Sequence, residues 1–151
     1  MPAILFVCTA NQFRSPIASA CLQHILQQEN ADSAWVVESA GTWTKTGLPA
    51  PDLTLRNVHR LGLPNLASHR TRQVDQELLT HFDLIIVMEI GHKEALLCEF
   101  PNTGRRVFLL SEIASGLVYD IADPADFGVE PDLIADELHA LIEKSAGKIL
   151  Q

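Results

Sequence analysis

The sequence predicts an α/β fold: a parallel sheet of four strands with helices on both faces, in three layers. Two observations carry that expectation. Short apolar runs of strand length recur along the chain, and segments of helical spacing separate them. No repeat, low-complexity tract or linker interrupts the alternation. Residues 1–151 are therefore expected to form one domain, long enough to bury a proper core.

The elements follow in order. AILFVC, ending at Cys8, is the first strand. SPIASACLQHILQQEN reads as a helix that Ser15 can cap, with Pro16 suited to the first helical position. Ile17, Cys21 and Ile25 recur along it at four-residue spacing. AWVVES is the second strand, and AGTWTKTGLPAP, rich in Gly, Thr and Pro, is a surface loop. Asp52 can cap a helix that runs to about Leu61 and is closed by Gly62 and Pro64. TRQVDQELLTHF is a further short helix, and DLIIVME is the clearest buried strand. A helix through KEALLCEF stops at Pro101, and RRVFLL is the fourth strand. YDIADPADFG is a loop. The last helix starts near Pro131, with Ile134, Leu138, Leu141 and Ile142 on one apolar face.

Composition narrows the function classes. Apolar residues make up 47% and charged residues 20%, which suits a soluble globular chain. A net charge of −8 repels phosphate backbones at long range, so no nucleic-acid partner is expected. No apolar run approaches the roughly 18 residues of a membrane span, and MPAILFVC is too short and uncharged for a signal peptide. Three cysteines, Cys8, Cys21 and Cys98, fit a reducing compartment better than a disulfide framework. A cytoplasmic protein is expected.

In parallel sheets ligands bind beyond the carboxyl ends of the strands, where loops enter helices. Cys8 sits at that end of the first strand. The loop VCTANQFRSP must then turn into a helix whose first N–H groups lack partners. Such a loop makes a concave nest for an anion. Arg14 adds a planar charged fork that matches two phosphate oxygens. The same positive field favours a thiolate at Cys8. Ser15 can donate its hydroxyl to that thiolate or cap the helix. A buried cysteine that merely packs is the bland alternative, and Arg14 at this spacing argues against it. The Gly-x-x-x-x-Gly-Lys loop of nucleotide hydrolases is absent. Cys21 and Cys98 lie in helical apolar patterns and read as packing. No His or Cys pair has a familiar zinc spacing, so no metal or other cofactor is expected.

Cys-x5-Arg-Ser at the first strand–helix turn resembles the low-molecular-weight protein tyrosine phosphatases. SAGT (Ser39–Thr42), HRTRQ (His69–Gln73), FDLIIVME and the late Asp123–Pro124 match that pattern in order, over nearly the whole chain. The resemblance implies phosphate ester hydrolysis through a phosphocysteine on Cys8, without a metal. It implies a phosphate loop in which Thr9, Ala10, Asn11, Gln12, Phe13, Arg14 and Ser15 hold the anion. It nominates Asp123 as general acid and then base, with Asp120 and Asp126 as rivals nearby. Asn11 becomes the shaper of the loop, supported by Ser39 and His69. Phosphotyrosine proteins or small aryl phosphates become the expected substrates.

The chain departs from that family at the rim. Thr9 and Gln12 stand where apolar residues are usual and are expected to make the rim more polar. Ala125 and Asp126, with Phe127 next, replace two tyrosines that sandwich the substrate ring. Trp43 and Phe127 are the candidate aromatic walls. Two other classes compete: a non-catalytic module that binds anionic partners, and an arsenate reductase of the same fold. The latter needs resolving cysteines, for which only Cys98 lies after VME.

Overall fold

A computed structural model describes residues 1–151. The strands are β1 (Ala3–Cys8), β2 (Val36–Gly41), β3 (Leu84–Val87) and β4 (Val107–Leu109). They form one sheet in the order β2-β1-β3-β4, and every pairing is parallel. The helices are α1 (Arg14–Gln28), α2 (Asp52–Arg60), α3 (Gln76–Thr80), α4 (Ile90–Glu99), α5 (Leu110–Ser115) and α6 (Pro131–Ile149). The expected fold class is the observed one.

The unbroken apolar run of β1 has a simple cause. Side chains alternate across a strand, and here both faces are covered. Ile4, Phe6 and Cys8 join the core under α1 and α6, with Ile17, Leu22, Leu138 and Ile142. Ala3, Leu5 and Val7 join the opposite core with Leu78, Leu79, Leu96 and Phe100. All six β1 residues are buried. Each large one stabilises the fold by about 1.5–3 kcal/mol.

Four boundaries differ from expectation. A short helix, α5, leaves β4 at Leu110, where the sequence suggested that the strand continued. Helix α3 covers only Gln76–Thr80, capped by the Asp75 carboxylate, which accepts the Leu78 N–H at 2.7 Å. The stretch before it is extended instead, because Gly41, Gly47 and Leu48 take its main-chain bonds. Pro51, not Asp52, is the cap residue of α2, and Asp52 is its first helical residue. Ser15 caps nothing: α1 begins at Arg14, and Ser15 is fully buried inside its first turn.

The reversal of strand order across the sheet places β1 between β2 and β3. Such a switch point leaves a crevice at the carboxyl end of the central strand. Cys8 ends β1 there.

Candidate active site

The loop from Thr9 to Phe13 is shaped around Asn11. Its φ of 58° is left-handed, a conformation that asparagine tolerates better than most residues. Its side chain is fully buried and fully used. Nδ2 donates to Ser15 Oγ and Ser39 Oγ, both at 2.9 Å, and Oδ1 accepts the Arg72 N–H at 2.9 Å. The His69 ring Nε2 donates to the Asn11 carbonyl at 2.9 Å. Burial holds the His69 pKa below its ordinary value, so the ring stays a neutral single donor. The expected supports, Ser39 and His69, therefore converge on Asn11. Gly41 lets the loop pass: a Cβ there would stand 2.5 Å from the Thr9 carbonyl oxygen.

With the side chains turned inward, the loop's amides are left over. None of the main-chain bonds outside regular elements is donated by an N–H of residues 9–13. Such a row of free donors at a helix start is an anion nest.

Cys8 lies at the floor of this nest. Its Sγ is 3.0 Å from Ser15 Oγ. That hydroxyl accepts from Asn11, which leaves its hydrogen for the sulfur or for the Ala40 carbonyl at 3.3 Å. When Cys8 is a thiolate, only the hydroxyl can donate.

Arg14 is the largest fully buried side chain in the protein. Its NH1 donates to Glu89 Oε2 at 2.5 Å and to the Ile121 carbonyl at 2.7 Å. Its NH2 lies 3.3 Å from Asp123 Oδ2. Asp123 is partly exposed, and its Oδ1 accepts the Ala125 N–H at 2.9 Å. The rival Asp120 is turned elsewhere and accepts the Ile90 N–H at the start of α4. Asp126 does not line the cleft.

A cleft of about 200 Å³ opens over these groups, and Cys8, Arg14 and Asp123 all line it. Its walls are Ala10, Gln12 and Phe13 from the loop, Pro51, Leu53 and Thr54 from the start of α2, and Pro124 and Ala125. The Thr54 hydroxyl donates to the Gln12 carbonyl, which ties α2 to the loop.

Some expectations need correction. Thr9 does not line the cleft: its hydroxyl points behind Arg14, toward His92, because the alternation of the chain after β1 turns it away. Trp43 and Phe127 are both strongly exposed and neither lines the cleft. Cys98 is exposed on α4 rather than packed, whereas Cys21 is buried and its thiol is pushed up to about 12 by burial. Sequence reasoning assigned no role to Glu89, His92 or Thr54. Only the position of Glu89, two residues after β3 at the carboxyl edge of the sheet, carried a signal.

Residues 3–151 match the family model described as low molecular weight phosphotyrosine protein phosphatase. The chain belongs to that family. It is 35% identical over 148 residues to a protein-arginine-phosphatase of Geobacillus stearothermophilus, covering 97% of this chain and 95% of that one. It is 33% identical over 121 residues to EpsP of Ralstonia nicotianae, a probable low molecular weight protein-tyrosine-phosphatase, covering 80% and 77%. A solved YwlE arginine phosphatase, whose active-site serine replaces a cysteine and is phosphorylated, superposes with a TM-score of 0.88. That match is at 28% identity and covers 99% of this chain and 96% of the other. The family member described here is a cysteine-dependent phosphatase.

Proposed function

We infer that the protein removes phosphate from phosphorylated proteins in two steps, with Cys8 as nucleophile. The observation that carries this reading is the meeting of Cys8, Arg14 and Asp123 at one cleft, beneath main-chain N–H groups without protein partners. The Cys8 thiolate attacks phosphorus in line, and the bond to the leaving group breaks. Arg14 and the N–H groups of residues 9–15 hold the other phosphate oxygens as charge redistributes. Asp123 gives its proton to the leaving atom. As a carboxylate it then takes a proton from water, whose oxygen attacks the phosphocysteine and releases inorganic phosphate with the thiolate. No metal enters this scheme. The free cysteines suit a reducing, cytoplasmic setting.

Phosphotyrosine is the family's substrate and our first reading. A second, phosphoarginine, has a specific observation in its favour. The cleft walls hold no tyrosine pair, Gln12 adds a polar group, and the Asp123 carboxylate lines the cleft. That carboxylate complements a cationic guanidinium leaving group. The arginine phosphatases named above also match this chain along nearly its full length.

Turnover of one peptide carrying either phosphotyrosine or phosphoarginine decides between them. Equal or better kcat/KM for phosphoarginine selects the second reading. Failure to turn over either peptide, or an aryl phosphate, returns the protein to the non-catalytic class. A phosphate on Cys8, trapped by acid quench of Asp123→Asn, is the expected signature of the mechanism.

A further inference from the structure

Behind the phosphate loop, away from the cleft, lies a histidine that no step above uses. His92 stands in the first turn of α4, at the carboxyl end of β3, and is buried. Its Nδ1 accepts the main-chain N–H of Glu89 at 3.1 Å. A ring nitrogen that accepts carries no hydrogen, so in the neutral ring the hydrogen sits on Nε2. Nε2 then donates to Thr9 Oγ1 at 2.8 Å. Thr9 Oγ1 also accepts from Arg14 NH2 at 3.4 Å, while Glu89 Oε2 takes Arg14 NH1. Two of the groups that brace Arg14, beside the Ile121 carbonyl, are thus fixed by the two nitrogens of one ring.

We propose that His92 is a positioning residue for phosphate binding, which orients the Arg14 fork toward the cleft through Thr9 and Glu89. This rests on the reading of Arg14 as the phosphate clamp. An arriving phosphate must displace Asp123 from Arg14 NH2 without letting the guanidinium swing after the departing carboxylate. Thr9 and Glu89 hold both arms of the fork while that exchange occurs. The charged groups around the ring are Arg14 on α1, Glu89 at the start of α4, and Asp120 and Asp123 on the facing loop. Burial and the Arg14 charge outweigh the pull of the two aspartates, and the ring's pKa falls to about 4. A charged ring would lose its acceptor at Nδ1. It would also compete with Arg14 for Glu89, whose Oε2 is 3.6 Å from Nε2.

The test measures binding of inorganic phosphate by calorimetry, together with KM and kcat, in the full chain. Thr9→Val removes the acceptor, Thr9→Ser restores it, and His92→Phe removes both ring contacts. Thr9→Val and His92→Phe should each weaken phosphate binding roughly 10-fold, as expected for hydrogen bonds to a charged group. The double variant should lose little more than either alone, because the two act in one chain of contacts. Thr9→Ser should stay within about 2-fold of the parent. Unchanged phosphate affinity in folded His92→Phe, with only its melting temperature lowered, makes the ring a helix cap and overturns the proposal. So do strictly additive losses, or a Thr9→Ser protein as weak as Thr9→Val. Should His92→Phe fail to fold, the contrast between Val and Ser at position 9 decides alone. A parent protein that binds no phosphate refutes the phosphate-clamp reading of Arg14 instead, which separates the two failures.

Discussion

The phosphate loop, residues 9–15, and the acid loop, residues 119–128, meet at one cleft but are built in opposite ways. Asn11, Phe13, Arg14 and Ser15 are buried, and their polar atoms are bonded to β2, to residues 69 and 72 and to the start of α4. In the acid loop only the first residues are anchored. The Ile121 N–H donates to the Met88 carbonyl, and Asp120 accepts from Ile90. Beyond Asp123 the bonds within the loop are purely local: Ala125 and Asp126 bond back to Asp123, and Val129 to Asp126. Phe127 is fully exposed. A cradle for a small fixed anion must be rigid before the substrate arrives. A wall that meets a variable protein side chain tolerates freedom, and loops of low local stability supply it.

Substitutions can break this contrast, and the rigid side should suffer most. Cys8→Ser should abolish turnover, by more than about 10³-fold. Calorimetry should still find phosphate bound, because Arg14 and the loop amides remain. Measurable steady-state turnover in that protein would sink the phosphocysteine. Asp123→Asn comes next, with a loss of about 10²–10⁴ for aryl phosphates with poor leaving groups and much less for good ones. A flat dependence on leaving-group pKa, or the same pattern in Asp126→Asn instead, would remove Asp123 from its role.

Much of the rigid half was legible because its signals are local. A strand-length apolar run, a cysteine at its end and an arginine before a helix lie within one short segment. Glu89 and His92 were not legible. Their meaning depends on β3 lying beside β1, which brings them to Arg14 and Thr9 across 75 and 83 residues. No local period encodes that. Helix α5 escaped for another reason: VFLL runs from strand into helix without a Gly, Pro or polar breaker. The aromatic walls were misjudged because a tryptophan or phenylalanine in a loop says nothing about the direction it faces.

Smaller effects sharpen the contrast. Asn11→Ala should destabilise the fold by about 2–3 kcal/mol, since it orphans buried partners and keeps a left-handed backbone without asparagine's tolerance. Urea unfolding checks this, and a loss below that of an ordinary surface substitution would mean that the loop does not depend on Asn11. Acid should act on the same region. A ring held at about 4, below the ordinary 6.5, binds fewer protons folded than unfolded. Its contribution is therefore fully present above pH 6.5 and is lost as pH falls toward 4, about 3 kcal/mol in all. His69, also depressed, acts in the same direction. Stability measured against pH should lose most of this slope in His92→Gln. Least of all, Phe127→Ala should change stability by less than about 0.5 kcal/mol and leave aryl phosphate turnover intact. A raised KM confined to protein substrates is the expected change.

The contacts that shape Asn11 span 28, 58 and 61 residues, and Arg14 reaches Ile121 across 107. Contacts so distant along the chain are the slow ones to form during folding, because each closes a long loop. Helices α1 and α6 can gain structure while residues 9–13 are still shapeless. On refolding, helical circular dichroism should return before turnover does. A chain released before residue 121 would have its nucleophile but neither its acid nor the carbonyl that seats Arg14. Catalytic competence thus serves as a late checkpoint, reached only when the sheet and the segment after β4 are both in place.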